Sequence, residues 1–285
     1  MALKRWVLTV LLAGLLWCLY GCGKAAVSPA GSADSGSAGQ TVDSGSAAGA
    51  AEDTGELIDP PLEEEASDTS EQAQPLAGIV ICLDPGHGVT DATGQERVSP
   101  LSQATKAAYV SGAAGNSQTE EELNLAVAQL VRAGLEERGA QVVMTRQTNE
   151  ATVSNIERAQ IANNAGADLC IRIHADGSED SSVSGMSMQV PAGSLLGTPE
   201  IEQPSARVAE IILEEVTAAT GARSRGLVQR SDLTGFNWSE VPCVLLEMGF
   251  LSNAQEDALL ATDEYRQQIA SGIVSGVCRW MESGR

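Results

Sequence analysis

The 285 residues contain only two histidines, and both follow apolar stretches that are typical of buried strands. His87 lies in a glycine-rich turn after the apolar run 79–83, and His174 ends the run 169–173. A carboxylate, Glu247, ends a third apolar run. Ligands of open α/β sheets bind beyond the carboxyl ends of the strands. The two imidazoles and this carboxylate are therefore expected to converge at one edge of a sheet.

Two histidines and one glutamate form a known ligand set for catalytic zinc, which leaves a fourth position for water. Glu247 is one candidate for the glutamate ligand. Burying a charged group after an apolar run costs free energy, so a carboxylate at this position needs a functional reason. Glu120 is another candidate, in a stretch rich in acids at the expected start of a helix. Each residue also has a structural explanation, since a histidine at a strand end is commonly hydrogen-bonded and either acid can cap a helix. The combination favours a metal site over these separate explanations.

Alternating strands and helices must position these side chains. The apolar runs predict strands over residues 79–83, 141–145, 168–174, 185–190 and 242–247. The helical spacing of apolar residues predicts helices over residues 119–138, 154–165, 205–220, 254–260 and 264–281. This order predicts one α/β domain whose mixed, mainly parallel twisted sheet carries helices on both faces. The cysteines within these segments are expected to be free core thiols.

Five motifs occur in the same order as in a known family. They are Leu-Asp-Pro-Gly-His-Gly at 83–88, Glu-x-x-x-Asn-Leu at 120–125, Val-Val-Met-Thr-Arg at 142–146, Ile-His-Ala-Asp at 173–176 and Leu-Glu-Met-Gly-Phe-Leu-Ser-Asn at 246–253. This set resembles the zinc-dependent N-acetylmuramoyl-L-alanine amidases, which are bacterial cell-wall hydrolases of the third amidase type. The match extends from about residue 79 to residue 280 and covers essentially the whole predicted domain.

The resemblance implies that zinc is held by His87, Glu120 and His174 and that Glu247 is the catalytic carboxylate. It also implies hydrolysis of the amide between N-acetylmuramic acid and L-alanine in peptidoglycan. The chemistry agrees, because zinc acidifies its water and polarises the carbonyl while a carboxylate moves the proton to the departing amine. Two alternatives share these residues: a zinc peptidase that acts within the stem peptide, and a non-catalytic peptidoglycan-binding module.

Arg172 departs from the family pattern, which usually has a small serine at this position. Strand alternation places Arg172 on the same side as His174, so the sequence predicts a cation beside the site. We expect Arg172 to contact Glu120, Glu247 or a carboxylate of the substrate, which makes it a candidate substrate-binding residue. An ion pair within the domain is the alternative. The segment 91–118 is longer than a minimal version of the fold needs and is predicted to form a loop over the active face.

The first 75 residues differ in composition from the rest of the chain. Residues 1–22 are typical of an export signal, and Leu-Tyr-Gly-Cys at 19–22 resembles a bacterial lipobox, so Cys22 is the candidate lipidation site. An ordinary signal or an uncleaved anchor is the alternative. Residues 23–75 are rich in Ala, Gly, Ser and acidic residues and predict a flexible tether. This leaves residues 76–285 as the predicted zinc amidase domain.

The predicted location is the outer face of the bacterial cell membrane, where an exported lipoprotein would act on the cell wall. The net charge is −21, from 17 basic and 38 acidic residues. Binding to nucleic acid needs clustered Lys and Arg to displace counterions, so this composition excludes nucleic acid as a partner. The expected partners are peptidoglycan and, through the lipid anchor, the membrane. The sequence identifies no protein partner.

Overall fold

A six-stranded sheet forms the centre of the part of the chain that the structure, a computed structural model, describes: residues 74–89 and 91–284. Apart from a short hairpin, the strands belong to this sheet. The strands are β1 (Val80–Pro85), β2 (Gln95–Arg97), β3 (Thr105–Ala107), β4 (Gln141–Met144), β5 (Leu169–Asp176), β6 (Met186–Pro191), β7 (Ser224–Arg230) and β8 (Cys243–Phe250). The helices are α1 (Glu120–Glu137), α2 (Asn155–Asn164), α3 (Glu202–Thr220), α4 (Thr234–Asn237), α5 (Ala254–Leu260) and α6 (Asp263–Glu282).

The strands of the large sheet lie in the order β4-β1-β5-β8-β6-β7. All neighbours pair in parallel except β6 and β8, which are antiparallel. The predicted mixed, mainly parallel sheet is therefore confirmed. In the register of β5 and β8, His174 lies opposite Glu247. The sheet itself thus places these two side chains side by side.

Helices cover both faces of the sheet, as the sequence predicts. The main core lies between the sheet and the helices α1, α3 and α6, whereas α2 and α4 pack on the other face. The apolar stripe of α1 explains its orientation, because Leu123, Val127, Val131 and Leu135 recur every four residues and are all buried. The start of α1 lies at the carboxyl edge of the parallel strands, since Glu120 accepts a hydrogen bond from the backbone N–H of Ala175 near the end of β5.

Several parts of the fold differ from the prediction, and one of them is the short helix α4, for which no helix was predicted. β7 was not predicted, because it is a polar and largely exposed edge strand without an apolar run. The segment 91–118 contains the antiparallel hairpin of β2 and β3, whose strands of three residues each are too short and polar to predict. α3 begins at Glu202 and so includes Pro204, because the first turn of a helix does not need the missing N–H.

Cys82, Cys170 and Cys243 lie side by side on β1, β5 and β8, and together with Cys278 they are free thiols, as predicted. None of the helices among the described residues is both long and apolar enough to cross a membrane. The predicted signal segment 1–22 with Cys22, and the tether as far as residue 73, lie outside the described residues.

Candidate metal centre and active site

A tight turn after β1 presents His87. His87 itself has a positive φ of 58°, a conformation that is strained for a residue with a side chain and occurs mainly where function requires it. Gly86 precedes it because a Cβ atom there would overlap the imidazole of His174. Arg146 fixes the turn by donating to the carbonyl oxygens of Pro85 and Gly86, both at 2.9 Å. The turn therefore holds the two histidines against each other.

The hydrogen bond of His87 determines which nitrogen faces the centre. Its Nδ1 lies 2.7 Å from the carbonyl oxygen of Val110. Since a carbonyl only accepts, Nδ1 donates this hydrogen bond and Nε2 is the nitrogen that faces the centre. Nε2 lies 3.3 Å from Oε1 of Glu120. His87 thus directs Nε2 to the same point as the carboxylate of Glu120.

Glu120 begins α1 but does not cap it. The capping box consists of Thr119 and Glu122, which leaves the carboxylate of Glu120 free to turn toward the histidines. Its Oε2 accepts from the backbone N–H of Ala113 at 2.7 Å and its Oε1 from that of Ala175 at 3.1 Å. The capping explanation for Glu120 is therefore wrong, and two backbone donors fix its position.

His174 completes a group of three ligand atoms. Its Nδ1 lies 3.0 Å from Oε1 of Glu120, and the two imidazoles meet edge to face with their centroids 4.9 Å apart. Ligand atoms of His87, Glu120 and His174 all lie within 4.8 Å of one another. Two nitrogen or oxygen ligands of a tetrahedral zinc ion are roughly 3.3 Å apart, given bonds of about 2.0–2.2 Å. The geometry of these residues fits such an ion.

The electrostatics of the cluster also suit a cation. Burial lowers the pKa of His174 to about 4, although the nearby Glu120 opposes this shift. Burial acts against ionisation of Glu120, but its hydrogen bonds to His174 and His87 outweigh this effect and hold its pKa well below the usual range. Neutral imidazole and ionised carboxylate are the states in which these side chains bind metals, and His174 and Glu120 are held in them. Burial acts to lower the pKa of His87, but the hydrogen bond to Glu120 outweighs it and raises this pKa, so a metal ion would take the place of a proton there. Nε2 of His174 is buried and, among the described residues, has no hydrogen-bond partner.

Glu247 lies within β8 rather than at its end, because the strand continues to Phe250. Its Oε1 accepts a hydrogen bond of 2.9 Å from Nε2 of Gln189. Its Oε2 is buried and, within the described part of the chain, has no partner. Burial raises the pKa of Glu247 well above its usual value, and the negative charges of Asp176 and Glu120 add to this effect. One oxygen is thus anchored and the other is available.

Arg172 is buried beneath the site and pairs with Asp84, at 2.7 Å from its Nε. Among the described residues it forms no ion pair with Glu120 or Glu247. The structure therefore shows the internal ion pair that the sequence left as an alternative. Arg172 nevertheless lines the same pocket as His174 and Glu247, so its contact with a substrate stays a prediction.

A pocket of about 450 Å³ opens over the cluster. Its lining includes His87, His174 and Glu247, together with three residues that the sequence analysis missed: Lys106, Gln189 and Arg230. These three residues belong to no recognisable motif. Lys106 lies in β3 and Arg230 in β7, two strands that were not predicted. The register of β6, β7 and β8 brings Gln189 and Arg230 to the site, whereas Lys106 comes from the separate hairpin of β2 and β3.

Two imidazoles and a carboxylate at the edge of a mixed α/β sheet, next to a second carboxylate with a free oxygen, form an arrangement typical of metal-dependent hydrolases. Comparison with known proteins makes the class specific. Residues 81–279 match the sequence profile of a family described as N-acetylmuramoyl-L-alanine amidase. The chain belongs to this family and is an amidase.

Individual relatives agree with this assignment. N-acetylmuramoyl-L-alanine amidase Rv3717 of Mycobacterium tuberculosis is 30% identical over 214 residues, which span 72% of this chain and 88% of that protein. The germination-specific N-acetylmuramoyl-L-alanine amidase of Bacillus subtilis is 30% identical over 225 residues, or 72% of this chain and 81% of that protein. The crystal structure of the N-acetylmuramyl-L-alanine amidase Ami1 from Mycobacterium smegmatis matches with a TM-score of 0.67 at 29% identity, covering 73% of this chain and 99% of that chain.

Proposed function

We propose that this amidase cleaves the bond between N-acetylmuramic acid and the L-alanine of the peptidoglycan stem peptide, with zinc held by His87, Glu120 and His174. Peptidoglycan is the substrate that the family and the named relatives support. The observation that carries the proposal is the common pocket, into which the two histidines and Glu247 all open. A hydrolase needs its metal and its proton-transfer group beside the same bond.

The donor set favours zinc over harder cations. Magnesium and calcium prefer sites made of oxygen ligands, whereas this cluster offers two imidazole nitrogens and one carboxylate. Three protein ligands also leave a fourth position open, as in catalytic rather than structural zinc sites. Bound there, zinc would supply a more acidic water and a Lewis acid for the amide carbonyl.

Glu247 moves the proton in the proposed reaction. Its Oε2, which has no partner among the residues that the structure describes, takes a proton from the attacking water and returns it to the nitrogen of the departing amine. A pKa raised by burial suits this role, because the carboxyl group must carry the proton between the two steps. Glu120 cannot do the same, since two backbone N–H groups and both imidazoles occupy its oxygens.

Arg172 is proposed as a contact for an acidic part of the substrate. Its Nε is committed to Asp84, which fixes the guanidinium while the side chain still lines the pocket. A cation held in this way would favour a substrate carboxylate with little loss of side-chain entropy.

Digestion of purified peptidoglycan, followed by mass spectrometry of the fragments, tests the proposed reaction. The amidase should release stem peptides with a free N-terminal alanine and leave intact glycan strands. A new amine elsewhere in the stem would instead show a peptidase, and no release would show a binding module. Either of the last two results contradicts the proposal.

We further propose that residues 76–285 act as the catalytic domain, exported and held at the outer face of the membrane by lipid on Cys22. The cell-wall substrate supports export, and an anchored coil such as 23–75 would raise the local concentration of the domain near the wall. Cys22→Ser should move the protein from the membrane fraction to the soluble fraction without lowering its activity on isolated peptidoglycan. Membrane retention of this variant would contradict the lipid anchor.

A further inference from the structure

A single hydrogen bond from a neighbouring strand holds Glu247. Gln189 on β6 donates from Nε2 to Oε1 of Glu247 at 2.9 Å, and both side chains are buried. The other oxygen of Glu247 has no partner among the described residues. This bond therefore fixes the plane of the carboxylate and with it the direction in which the second oxygen points.

The amide of Gln189 can face Glu247 in only one orientation. Arg230 on β7 donates from Nη1 to Oε1 of Gln189 at 2.7 Å. Arginine has five N–H donors and no acceptor, so the oxygen of the amide must point to Arg230. The amide NH₂ group must then point to Glu247. Without Arg230, the amide could rotate by half a turn and place its oxygen against the carboxylate.

Arg230 is itself held in place. Its Nε and Nη2 donate to the two carboxylate oxygens of Asp232, both at 2.8 Å. This two-point geometry is the most directional form of the arginine–carboxylate pair. Lys106 also donates to the backbone carbonyl oxygen of Asp232, at 3.0 Å. A chain of contacts thus runs from the surface carboxylate of Asp232 to the buried carboxylate of Glu247.

The glutamine between Arg230 and Glu247 keeps the guanidinium from contacting the carboxylate directly. A direct ion pair would bind Glu247 through charge-assisted hydrogen bonds and compete for its free oxygen. Here Asp232 pairs with Arg230, and the group that donates to Glu247 is a neutral N–H. Glu247 is therefore oriented while its second oxygen remains free to accept a proton.

We propose that Asp232, Arg230 and Gln189 form a positioning relay that orients Glu247 for proton transfer in this amidase. Gln189 is the residue that acts directly on Glu247, and Arg230 acts through Gln189. This inference rests on the proposed role of Glu247 in the reaction.

The test compares kcat and KM of Gln189→Leu, Arg230→Met, the double variant and Glu247→Gln on a soluble muramoyl peptide. A hydrogen bond to a charged group is worth enough that Gln189→Leu should lower kcat about 10- to 100-fold, with KM within about threefold. Arg230→Met should lower kcat by less, about 3- to 10-fold, because the amide keeps its donor and loses only its fixed orientation. The double variant should match Gln189→Leu, because residues in one chain of contacts are not additive.

Gln229→Leu is the matched control, since Gln229 is an exposed neighbour of Arg230 on β7 and the same change there should leave kcat as in the wild type. Zinc content and melting temperature are measured for every variant, so that loss of fold is separated from loss of orientation. Should Gln189→Leu not fold, Gln189→Glu keeps the length and the acceptor for Arg230 but cannot donate when ionised. It should lower kcat at least as much.

Two results overturn the relay and leave the proposed function intact. In the first, kcat of Gln189→Leu lies within twofold of wild type while Glu247→Gln is inactive. In the second, the losses in kcat from Gln189→Leu and Arg230→Met multiply in the double variant. An active Glu247→Gln would instead remove the proposed role of Glu247, and the relay with it.

Discussion

Two clusters of buried charge lie next to each other at the edge of the sheet, and they differ in how completely their atoms are paired. The first surrounds Asp84. Its Oδ1 accepts from Thr145 at 2.6 Å and from Arg158 at 2.7 Å, and its Oδ2 accepts from Arg172 at 2.7 Å. Burial opposes ionisation of Asp84, but the two arginines outweigh it and hold its pKa well below the usual range. Both oxygens of this carboxylate are thus paired.

The second cluster, around His174 and Glu247, leaves polar atoms without partners. Nε2 of His174 and Oε2 of Glu247 are both buried and unpaired among the described residues. Leaving a buried polar group unpaired costs about 1–3 kcal/mol. The comparison indicates that the Asp84 cluster supports the turn that carries His87, whereas the second cluster has unpaired atoms that are available for the proposed metal ion and reaction.

The largest effect should come from Glu247→Gln, which removes the proton acceptor and keeps the shape of the side chain. Activity should fall about 10²- to 10⁴-fold. The metal content should stay at about one zinc per chain, since Glu247 is not among the proposed ligands. The melting temperature should not fall, because a neutral amide replaces a buried carboxyl group and its oxygen can still accept from Gln189. Kinetics, metal analysis and calorimetry measure these three properties.

The double variant His87→Ala with His174→Ala should differ from Glu247→Gln in its metal content. It should lose both the metal and the activity, because it removes both nitrogen ligands of the proposed site. Zinc retained in the double variant would refute the ligand assignment. Full activity in Glu247→Gln would refute the mechanism, whatever its metal content.

The next effect should appear in stability rather than in metal binding. Asp84→Asn leaves Arg158 and Arg172 buried without their carboxylate, and breaking a buried pair in this way costs about 3–5 kcal/mol. Urea denaturation at pH 7 should show this loss in the free energy of unfolding. Glu247→Gln, measured in the same way, should show none.

The pH dependence of this difference follows from the lowered pKa of Asp84. Its contribution to stability is fully present above the ordinary value of about 3.8 and is lost as the pH falls through the lower value of the folded state. Asp84→Asn lacks this group, so the difference in stability between wild type and variant should begin to shrink below about pH 4 and continue to shrink toward the lower pKa of the folded state. A constant difference between pH 7 and pH 3 would show that the charge of Asp84 is not what stabilises the fold.

The parts that the sequence predicts well are those in which residue type and apolar pattern coincide. His87 and His174 stand out because the chain has only two histidines, and both of them and Glu247 stand out because each follows an apolar run. The positions of Gln189 and Arg230 could not be predicted, since they meet only through the pairing of β6 with β8 and of β7 with β6. Register is a property of the whole sheet and leaves no local signal in a polar edge strand.

Arg172 shows the same limit within a strand that was predicted. Alternation places its side chain on the correct face of β5, but which acid it meets depends on the neighbouring strand. β1 places Asp84 directly opposite Arg172, whereas Glu247 lies opposite His174. A carboxylate in register on the adjacent strand is closer than one that is offset by two residues. The sequence therefore predicted a buried cation but not its partner.

The smallest effect should come from Thr145→Val, which tests whether the Asp84 cluster is separate from the active site. Thr145 is buried and donates from Oγ1 to Asp84 at 2.6 Å, and valine has nearly the same shape without the hydroxyl. Because Arg158 and Arg172 remain on the carboxylate, the loss in the free energy of unfolding should be about 1–2 kcal/mol, less than for Asp84→Asn. Thr145 directly follows β4, at the opposite edge of the sheet from β7, so kcat should stay within about twofold of wild type. Denaturation and steady-state kinetics on the same preparation measure both quantities. A tenfold loss of kcat without a loss of stability would show that the two clusters act as one network, because a change in the fully paired cluster would then reach the unpaired one.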